Sequence, residues 1–304
     1  MALIQVDIVS GFLGAGKTTL ITRMAAHFLA LGQKVAVVEN EYGQSGIDRM
    51  LLEQEGFSVV EITQGCICCT LRGDFEAAIL EIAEKVRPDR ILIEPSGIFL
   101  LSEALSIFSS PAIRAVCTVR SVITIVDGLL FLRQSERFSE FLQDQIHHAG
   151  KLVLSKADRI SPLSLEYLLQ EIGKLHFRGD VIPLDLNNIA PGRLVDLLQA
   201  DGVGGHAHHC HHHRGEHSHF DTFQINTERS YSKGELLDAL STLAAGQFGS
   251  VIRLKGFVRG PAGMVEISYV DGDFTAKERK RDCSPVLVVI GVGLDQDRIT
   301  ALFR

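Results

Sequence analysis

The chain has 304 residues, of which 46% are hydrophobic, and a formal net charge of −7. This length and apolar content are enough for one large core and a second, smaller one. The negative charge argues against a nucleic-acid-binding protein with a broad basic surface. No uninterrupted apolar run approaches about 18 residues, and residues 1–10 lack the basic start of a signal peptide. We therefore expect a cytoplasmic protein that neither crosses a membrane nor binds nucleic acid.

Short apolar runs alternate with amphipathic stretches through the first two thirds of the chain. Predicted helices cover residues 17–31 and 74–86, and predicted strands cover 3–9, 34–39, 57–62, 90–94, 122–126, 152–154 and 181–184. Strands that alternate with helices form a mostly parallel sheet with both faces covered. The pattern predicts an α/β domain over residues 1–200.

The composition changes at residues 201–220, which hold eight of the chain's 12 histidines among glycines and polar residues. This segment has no apolar period, so we predict a flexible linker. An ordered pattern resumes over residues 221–304 and predicts a small α+β domain. Its predicted strands are 222–226, 251–258, 265–270 and 286–290, its helices are 233–243 and 295–303, and a hairpin turn is expected at 271–273.

The segment Gly11–Thr18 reads GFLGAGKT and fits the phosphate-loop pattern G-x-x-x-x-G-K-[ST] between a predicted strand and a predicted helix. Glycines let backbone N–H groups approach phosphate oxygens, and the helix N-terminus adds positive potential. Lys17 can reach the β- and γ-phosphates as a catalytic group, and the Thr18 hydroxyl can bind Mg²⁺. A P-loop NTPase is therefore predicted, with nucleotide contacts from Gly14, Ala15, Gly16, Lys17, Thr18 and Thr19.

A carboxylate follows the predicted strand RILIE, where Glu94 precedes Pro95, Ser96 and Gly97. At the carboxyl end of a strand beside the phosphate loop, Glu94 can hold Mg²⁺ or position a water as a catalytic residue. The N–H of Gly97 can contact a γ-phosphate. Asp127 ends the strand VITIV and is a weaker candidate for the same neighbourhood.

The segment Ser155-Lys156-Ala157-Asp158 follows another buried strand and is similar to the guanine-reading motif N/T-K-x-D. In that motif the aspartate accepts hydrogen bonds from guanine N1 and N2, which adenine cannot supply, and the lysine stem covers the base. Lys156 and Asp158 therefore favour GTP over ATP. The alternative is an ordinary surface turn.

Three thiols lie within four residues at Cys66, Cys68 and Cys69. Thiolates are soft ligands that suit Zn²⁺ and are tolerable for Co²⁺, and three ligands leave one tetrahedral position open. The alternatives are a redox pair and inert buried cysteines. Cys117 and Cys283 lie in or beside apolar runs and are predicted to be small buried hydrophobes.

Two further segments can contribute metal ligands. Glu41, in the loop Asn40–Gly43 after the second strand, can bind Mg²⁺ or the second metal in a switch loop. The histidine-rich segment can bind divalent ions because imidazole suits Zn, Ni, Co and Cu. Its candidate ligands are His208, His209, His211 and His213. The alternative for both segments is a solvated loop.

Six segments in order resemble the CobW-like family of P-loop GTPases: GFLGAGKTTL, ENEYGQSGID, GCICC, ILIEPSG, ITIVDG and SKAD. The C-terminal KGFV and VLVVIGVGLDQDRITALF are similar to that family's second domain. The resemblance implies a GTP-hydrolysing metallochaperone that binds GTP and a divalent transition metal together. It implies delivery to a client metalloprotein or a cobalamin-type pathway enzyme. It also implies that Cys66, Cys68 and Cys69 bind the metal.

Two departures from the family pattern concern the nucleotide site. Ser155 replaces Asn or Thr in the base motif, and Pro95 follows Glu94 where Thr or Cys is common. No obvious catalytic glutamine is present, so we expect slow intrinsic turnover. The alternatives to a metallochaperone are a metal-storage protein with a regulatory nucleotide site and a small-molecule kinase.

Overall fold

The computed structural model describes residues 2–39, 58–61, 71–198, 220–279 and 284–304. These residues fall into two units, each built around its own sheet. The predicted fold class is confirmed, because the first sheet is parallel and flanked by helices, and the second is antiparallel with helices on one face. The predicted linker at 201–220 lies outside the described residues except for Phe220. The boundaries 1–200, 201–220 and 221–304 remain predictions.

The first sheet has seven parallel strands in the order β3-β2-β4-β1-β5-β6-β7. The strands are β1 (Ile4–Gly11), β2 (Val35–Glu39), β3 (Ser58–Glu61), β4 (Arg90–Glu94), β5 (Cys117–Asp127), β6 (Lys151–Ser155) and β7 (Val181–Leu184). All seven carboxyl ends therefore lie at one edge, where ligands bind in open α/β sheets.

Helices cover both faces of this sheet. They are α1 (Lys17–Ala30), α2 (Leu71–Glu81, continued by a π-helical turn at Ile82–Val86), α3 (Leu101–Ile107), α4 (Pro111–Arg114), α5 (Phe131–Arg137), α6 (Ser139–His147), α7 (Pro162–Gly173) and α8 (Pro191–Leu198). One core packs α1 and α8 against the sheet through buried residues such as Leu20, Met24 and Leu194. A second core packs α2 and α3 on the opposite face through Ile79 and Leu101.

Strand β5 begins at Cys117, five residues before the predicted start at Val122. The pairing of β1 with β5 shifts register so that Val6 faces Val119 while Asp7 faces Ser121. Such a bulge inserts one extra residue and breaks the alternation of buried and exposed positions. The strand was predicted too short because its first part lacks the apolar run that marks the second.

The bulge brings Ser121 into a buried polar network around Asp7. Asp7 is 2% exposed, accepts a hydrogen bond from Ser121 Oγ at 2.5 Å, and pairs with the guanidinium of Arg90. Arg90 also donates to Gln33 Oε1 at 3.1 Å and lies over the Phe28 ring at 3.8 Å from its centroid. The network joins β1, β4, β5 and α1 at the end of the sheet opposite the phosphate loop.

We expect Asp7→Ala to lower the free energy of unfolding by roughly 3–5 kcal/mol, because it leaves the Arg90 charge buried without its carboxylate. Urea denaturation followed by circular dichroism measures this loss. Asp180→Ala removes an exposed carboxylate from the same unit and should change stability by less than about 0.5 kcal/mol. A loss below about 1 kcal/mol for Asp7→Ala would show that the pair contributes little to stability.

The second sheet has five antiparallel strands in the order β11-β10-β9-β12-β8. Its elements are β8 (Asp221–Asn226), α9 (Lys233–Ala244), β9 (Ser250–Gly260), β10 (Gly263–Val270), β11 (Asp273–Arg279), β12 (Val286–Val292) and α10 (Gln296–Leu302). Helices α9 and α10 pack on one face through buried Leu236, Leu240 and Ile299.

The predicted hairpin turn is present between β10 and β11. Asp271 and Gly272 both have positive φ, at 46° and 100°, which matches the two-residue turn that suits the twist of a hairpin. The strand β11 that follows was not predicted, because the sequence DFTAKER is mostly polar and charged. It pairs on one side only, and charged side chains are common on such edge strands.

In the described part of the chain, none of the helices combines the length and the apolar character that crossing a membrane requires.

Candidate functional site

The phosphate-loop segment connects the end of β1 to the start of α1. Gly14 and Gly16 have φ of 77° and 109°, a region that favours glycine, and Gly16 is the N-cap of α1. The N–H of Ala15 donates to Phe12 O at 3.3 Å and closes the loop. Thr19 lies half-buried in the first turn of α1. The loop therefore aims the N-terminus of a 14-residue helix at the carboxyl edge of the sheet.

Lys17 is buried against the loop that precedes it, with 4% of its surface exposed. Its Nζ donates to Gly11 O at 3.0 Å and to Phe12 O at 3.2 Å. The ammonium group is thus held over the phosphate loop by two backbone carbonyls. A phosphate seated in the loop would meet this charge at short range.

Thr18 and Glu94 meet at the carboxyl edge of the sheet. The Thr18 hydroxyl donates to Glu94 Oε1 at 3.2 Å, although the two residues are 76 positions apart in sequence. Glu94 ends β4, which is the neighbour of β1 in the sheet. A hydroxyl and a carboxylate oxygen at this spacing are hard donors of the kind that Mg²⁺ prefers.

A second carboxylate, at Glu39, ends the neighbouring strand β2. Glu39 is 4% exposed, and its Cα is in register with that of Glu94. Register partners in parallel strands point to the same face of the sheet, so both carboxylates lie on one face. Sequence reasoning identified this strand but assigned no role to Glu39. The rule that selected Glu94, an acid at the end of a buried strand, would have found it.

The Gly97 backbone packs directly against the phosphate loop. A Cβ at Gly97 would lie 2.6 Å from Leu13 N and 2.9 Å from Leu13 Cα, so this contact requires glycine. The segment turns here, with Phe99 N donating to Ser96 O at 3.0 Å. The structure therefore brings Gly97 beside the loop where the sequence placed a γ-phosphate contact.

Helix α6 contacts both the phosphate loop and the turn at Gly97. Phe138, which precedes α6, stacks on Phe12 with ring centroids 5.0 Å apart. Gln145, near the end of α6, is completely buried, and its amide donates to Gly97 O at 3.1 Å and to Phe99 O at 3.3 Å. No sequence pattern marks Gln145, because its partners lie more than 40 positions away.

The residue before Gln145, Asp144, holds the start of helix α3. Asp144 accepts a hydrogen bond from the Ser102 N–H at 3.1 Å, in the first turn of α3, and lies 3.2 Å from His148 Nδ1. Burial acts to raise the pKa of Asp144, but hydrogen bonds from His148 and Ser102 outweigh it and lower the pKa. The hydrogen bond with Asp144 raises the pKa of His148. Helix α6 thus holds both the Gly97 turn and the start of α3.

The guanine-type motif forms a connected group at the ends of β5 and β6. Lys156 has φ of 57° and donates to Asp127 Oδ2 at 2.5 Å, and Asp127 Oδ1 accepts from Leu129 N at 3.0 Å. Ser155 Oγ donates to Val126 O at 3.3 Å. Asp158 is exposed on the short 3₁₀ turn that follows. Asp127 therefore orients Lys156 at the carboxyl edge of the sheet, and its predicted place in the phosphate neighbourhood stays a prediction.

The loop after β7 forms a further wall of the site that the sequence did not predict. Leu186 Cδ1 would lie 2.8 Å from a Cβ on Gly16. Arg23 of α1 donates to Asn187 O at 2.7 Å. Asp185 accepts from Asn187 N at 2.9 Å, which closes the loop locally. The loop is short and polar, and without its tertiary contact it is indistinguishable from an ordinary turn.

Apart from Thr18, the predicted metal ligands fall outside the described residues: Glu41, Cys66, Cys68, Cys69, His208, His209, His211 and His213. Among the residues that are described, no three His, Cys, Asp or Glu side chains group closely enough to hold a metal ion. Cys117 is described and buried, and burial raises the pKa of its thiol to about 11. It is the small buried hydrophobe that the sequence predicted, whereas Cys283 is not described.

Comparison with known proteins places the chain in a family. Residues 5–183 match the CobW/HypB/UreG nucleotide-binding domain, and residues 220–304 match the cobalamin synthesis protein CobW C-terminal domain. The zinc chaperone CobW of Pseudomonas aeruginosa is 30% identical over 351 residues, which cover 100% of this chain and 92% of that protein. The zinc chaperone YeiR of Escherichia coli is 29% identical over 296 residues, covering 88% and 87%.

A solved structure, the Zn(II)-bound YjiA GTPase from Escherichia coli, is 21% identical, covers 100% of this chain and 98% of its own, and gives a TM-score of 0.48. The family assignment rests on the two domain matches, of which the first alone covers more than half of the chain. The chain belongs to the CobW-like family of P-loop GTPases.

Proposed function

We propose that this chain is a GTP-hydrolysing metallochaperone that takes up zinc or cobalt through Cys66, Cys68 and Cys69 and delivers it to a client. The client is a metalloprotein or an enzyme of a cobalamin-type pathway. The observation that carries the proposal is the Thr18–Glu94 contact beside the buried ammonium of Lys17. It assembles phosphate-binding and cation-binding groups at one edge of the sheet.

Guanine selectivity is assigned to Lys156 and Asp158. The backbone of Lys156 has a left-handed conformation that L-residues rarely adopt, and the ion pair with Asp127 holds the end of its side chain. Asp158 lies exposed on the next turn, where it can accept hydrogen bonds from guanine N1 and N2. Ser155 ties β6 to β5, so it can substitute for the Asn or Thr of the usual motif.

The groups at Thr18 and Glu94 fit Mg²⁺, since both offer hard oxygen donors and lie 3.2 Å apart. When bound with the nucleotide, the ion would neutralise charge on the β- and γ-phosphates. Lys17 would bind phosphate oxygens in place of the carbonyls it now contacts, and Gly97 would donate its N–H to the γ-phosphate. With no glutamine assigned to orient a water, hydrolysis is expected to be slow.

The strand order provides a route for coupling nucleotide and metal. β2 lies between β4, which ends at Glu94, and β3, which ends at Glu61. Four residues of sequence separate Glu61 from the first cysteine, Cys66. Glu39 at the end of β2 therefore lies one strand from Glu94 and one strand from the segment that leads to the thiols. A carboxylate in this position can respond to both sites.

A competition titration tests the coupling. Zn²⁺, Co²⁺, Ni²⁺ and Fe²⁺ are titrated against a chromophoric chelator, with and without a non-hydrolysable GTP analogue. We expect the analogue to change the affinity for the cargo metal by roughly tenfold, within the usual range for coupled sites. Cys66→Ala should abolish both this change and any stimulation of GTP hydrolysis by metal.

Cys117→Ala is the matched control, because it removes a thiol buried in the core. It should keep the nucleotide-dependent change. If Cys66→Ala responds to metal as the unmodified chain does, the thiols are not the controlled site. A protein in which deletion of residues 206–219 removes most metal capacity, and Lys17→Ala changes nothing, is instead a metal store.

A further inference from the structure

The buried side chain of Gln145 donates hydrogen bonds to two backbone carbonyls, which an apolar side chain filling the same space would not do. Its Nε2 donates to Gly97 O at 3.1 Å and to Phe99 O at 3.3 Å, and the residue has no exposed surface. These two carbonyls flank the turn that presses against Leu13 of the phosphate loop. A single side chain therefore fixes two backbone carbonyls of the turn.

The orientation of the Gln145 amide follows from the chemistry of its partners. Both partners are carbonyl oxygens, which accept and cannot donate. The reversed amide would place Oε1 against two other oxygens, so Nε2 must face the turn. Neither an apolar residue nor a carboxylate of similar size can make these bonds.

The other end of the amide makes no comparable contact in the part of the chain that the structure describes. Within the described residues, Gln145 Oε1 is buried and has no hydrogen-bond partner. An unsatisfied buried oxygen is costly, and such groups in native proteins call for a specific explanation. Gln145 is thus better explained by what its Nε2 holds than by its contribution to the core.

Gln145 is itself held in place from two directions. Thr124 Oγ1, on the central part of β5, donates to Gln145 O at 2.8 Å. At the other end of α6, Phe138 stacks on Phe12 of the phosphate loop. Helix α6 therefore spans from the loop that would hold the phosphates to the turn that would read the γ-phosphate.

We propose that Gln145 is a positioning residue that sets the Gly97 turn at the distance from the phosphate loop at which a γ-phosphate is recognised. This inference rests on the proposed GTP function. Gln145 contacts no nucleotide itself and acts through Gly97. Its loss releases the turn, so the chain binds GDP normally but no longer prefers GTP.

The test compares the affinities of a fluorescent GDP and a fluorescent non-hydrolysable GTP analogue, in the presence of Mg²⁺, for the full chain and for Gln145→Met. Methionine keeps the volume and removes both donors. We expect the analogue to bind at least tenfold more weakly while GDP affinity stays within twofold. If the role of Gln145 were purely structural, the substitution would weaken the binding of both nucleotides alike. Gln143→Met, at an exposed position of the same helix, should leave both affinities unchanged.

A second variant keeps the test decisive if Gln145→Met does not fold. Thr124→Val preserves shape and removes the hydroxyl that holds the Gln145 backbone, and it should lower the preference for the analogue about threefold. If Gln145→Met folds and its ratio of affinities equals that of the unmodified chain, the inference is wrong and the proposed function stands. If Gln145→Met does not fold, an unchanged ratio of GTP-analogue to GDP affinity in Thr124→Val would also show that the inference is wrong. If the unmodified chain binds no GTP analogue, both ideas are overturned together.

Discussion

Lys17→Ala should lower kcat/KM for GTP hydrolysis by roughly 10³-fold or more. The lysine ammonium is the buried cation of the phosphate loop, placed where negative charge on the β- and γ-phosphates must be balanced. Hydrogen bonds to charged groups contribute about 1.5–3 kcal/mol each. Loss of one preorganised group that stabilises the transition state lowers kcat by about 10²–10³ on its own. Binding and catalysis should therefore both suffer.

The measurement is release of inorganic phosphate at saturating and at limiting GTP, with nucleotide affinity determined separately. Lys34→Ala is the matched control, because Lys34 lies at the opposite end of the sheet and its Nζ donates to Val86 O at 2.5 Å. It should keep full activity. Hydrolysis within tenfold of the unmodified rate in Lys17→Ala would mean that the phosphate loop is not the catalytic site.

Asp158→Asn should weaken GTP binding by roughly 10²-fold and improve binding of xanthosine triphosphate. We propose that the aspartate accepts hydrogen bonds from the guanine N1–H and N2–H groups, so removal of its charge should lose interactions of about 1.5–3 kcal/mol each. Xanthine carries an oxygen at C2 in place of the amino group, so an asparagine amide can donate to it. The preferred base should therefore change from guanine to xanthine.

Affinities of the two nucleotides, measured by competition with a fluorescent GDP, give the change directly. Asp196→Asn removes an exposed carboxylate elsewhere on the same unit and should alter neither affinity. Equal loss for both bases would indicate a damaged fold. An unchanged preference for GTP would show that the segment Ser155–Asp158 is an ordinary surface turn.

Much of the fold was predictable because its signals are local. The strand β4 was predicted at its observed bounds, since RILIE is a short apolar run with a charged residue at each end. Helix α1 follows a glycine-rich turn and carries buried residues at helical spacing. The hairpin turn at Asp271 and Gly272 was predicted from two residues that tolerate positive φ. β11 was not predicted, because its strand state comes from pairing with β10 and not from its own composition.

The residues of the site also separate into those that a local sequence pattern marks and those that only distant contacts reveal. Sequence alone identified the phosphate loop, Glu94, Gly97 and the segment Ser155–Asp158, because each carries a short pattern whose chemistry is local. Glu39, the loop at Leu186 and Gln145 carry no such pattern. Each becomes meaningful only through a neighbour distant in sequence, such as Glu94, Gly16 or Gly97.

The sequence by itself determined the class of chemistry: a phosphate loop, a segment similar to a base-reading motif and a thiol cluster on an alternating strand and helix pattern. Only the tertiary structure decided which groups cooperate. It brought Thr18 against Glu94, paired Lys156 with Asp127, and placed the amide of Gln145 against the Gly97 carbonyl. The physical reason is that parallel strands bring their carboxyl ends to one edge whatever their order in the chain. Contacts across that edge depend on strand order and register, which no local pattern specifies.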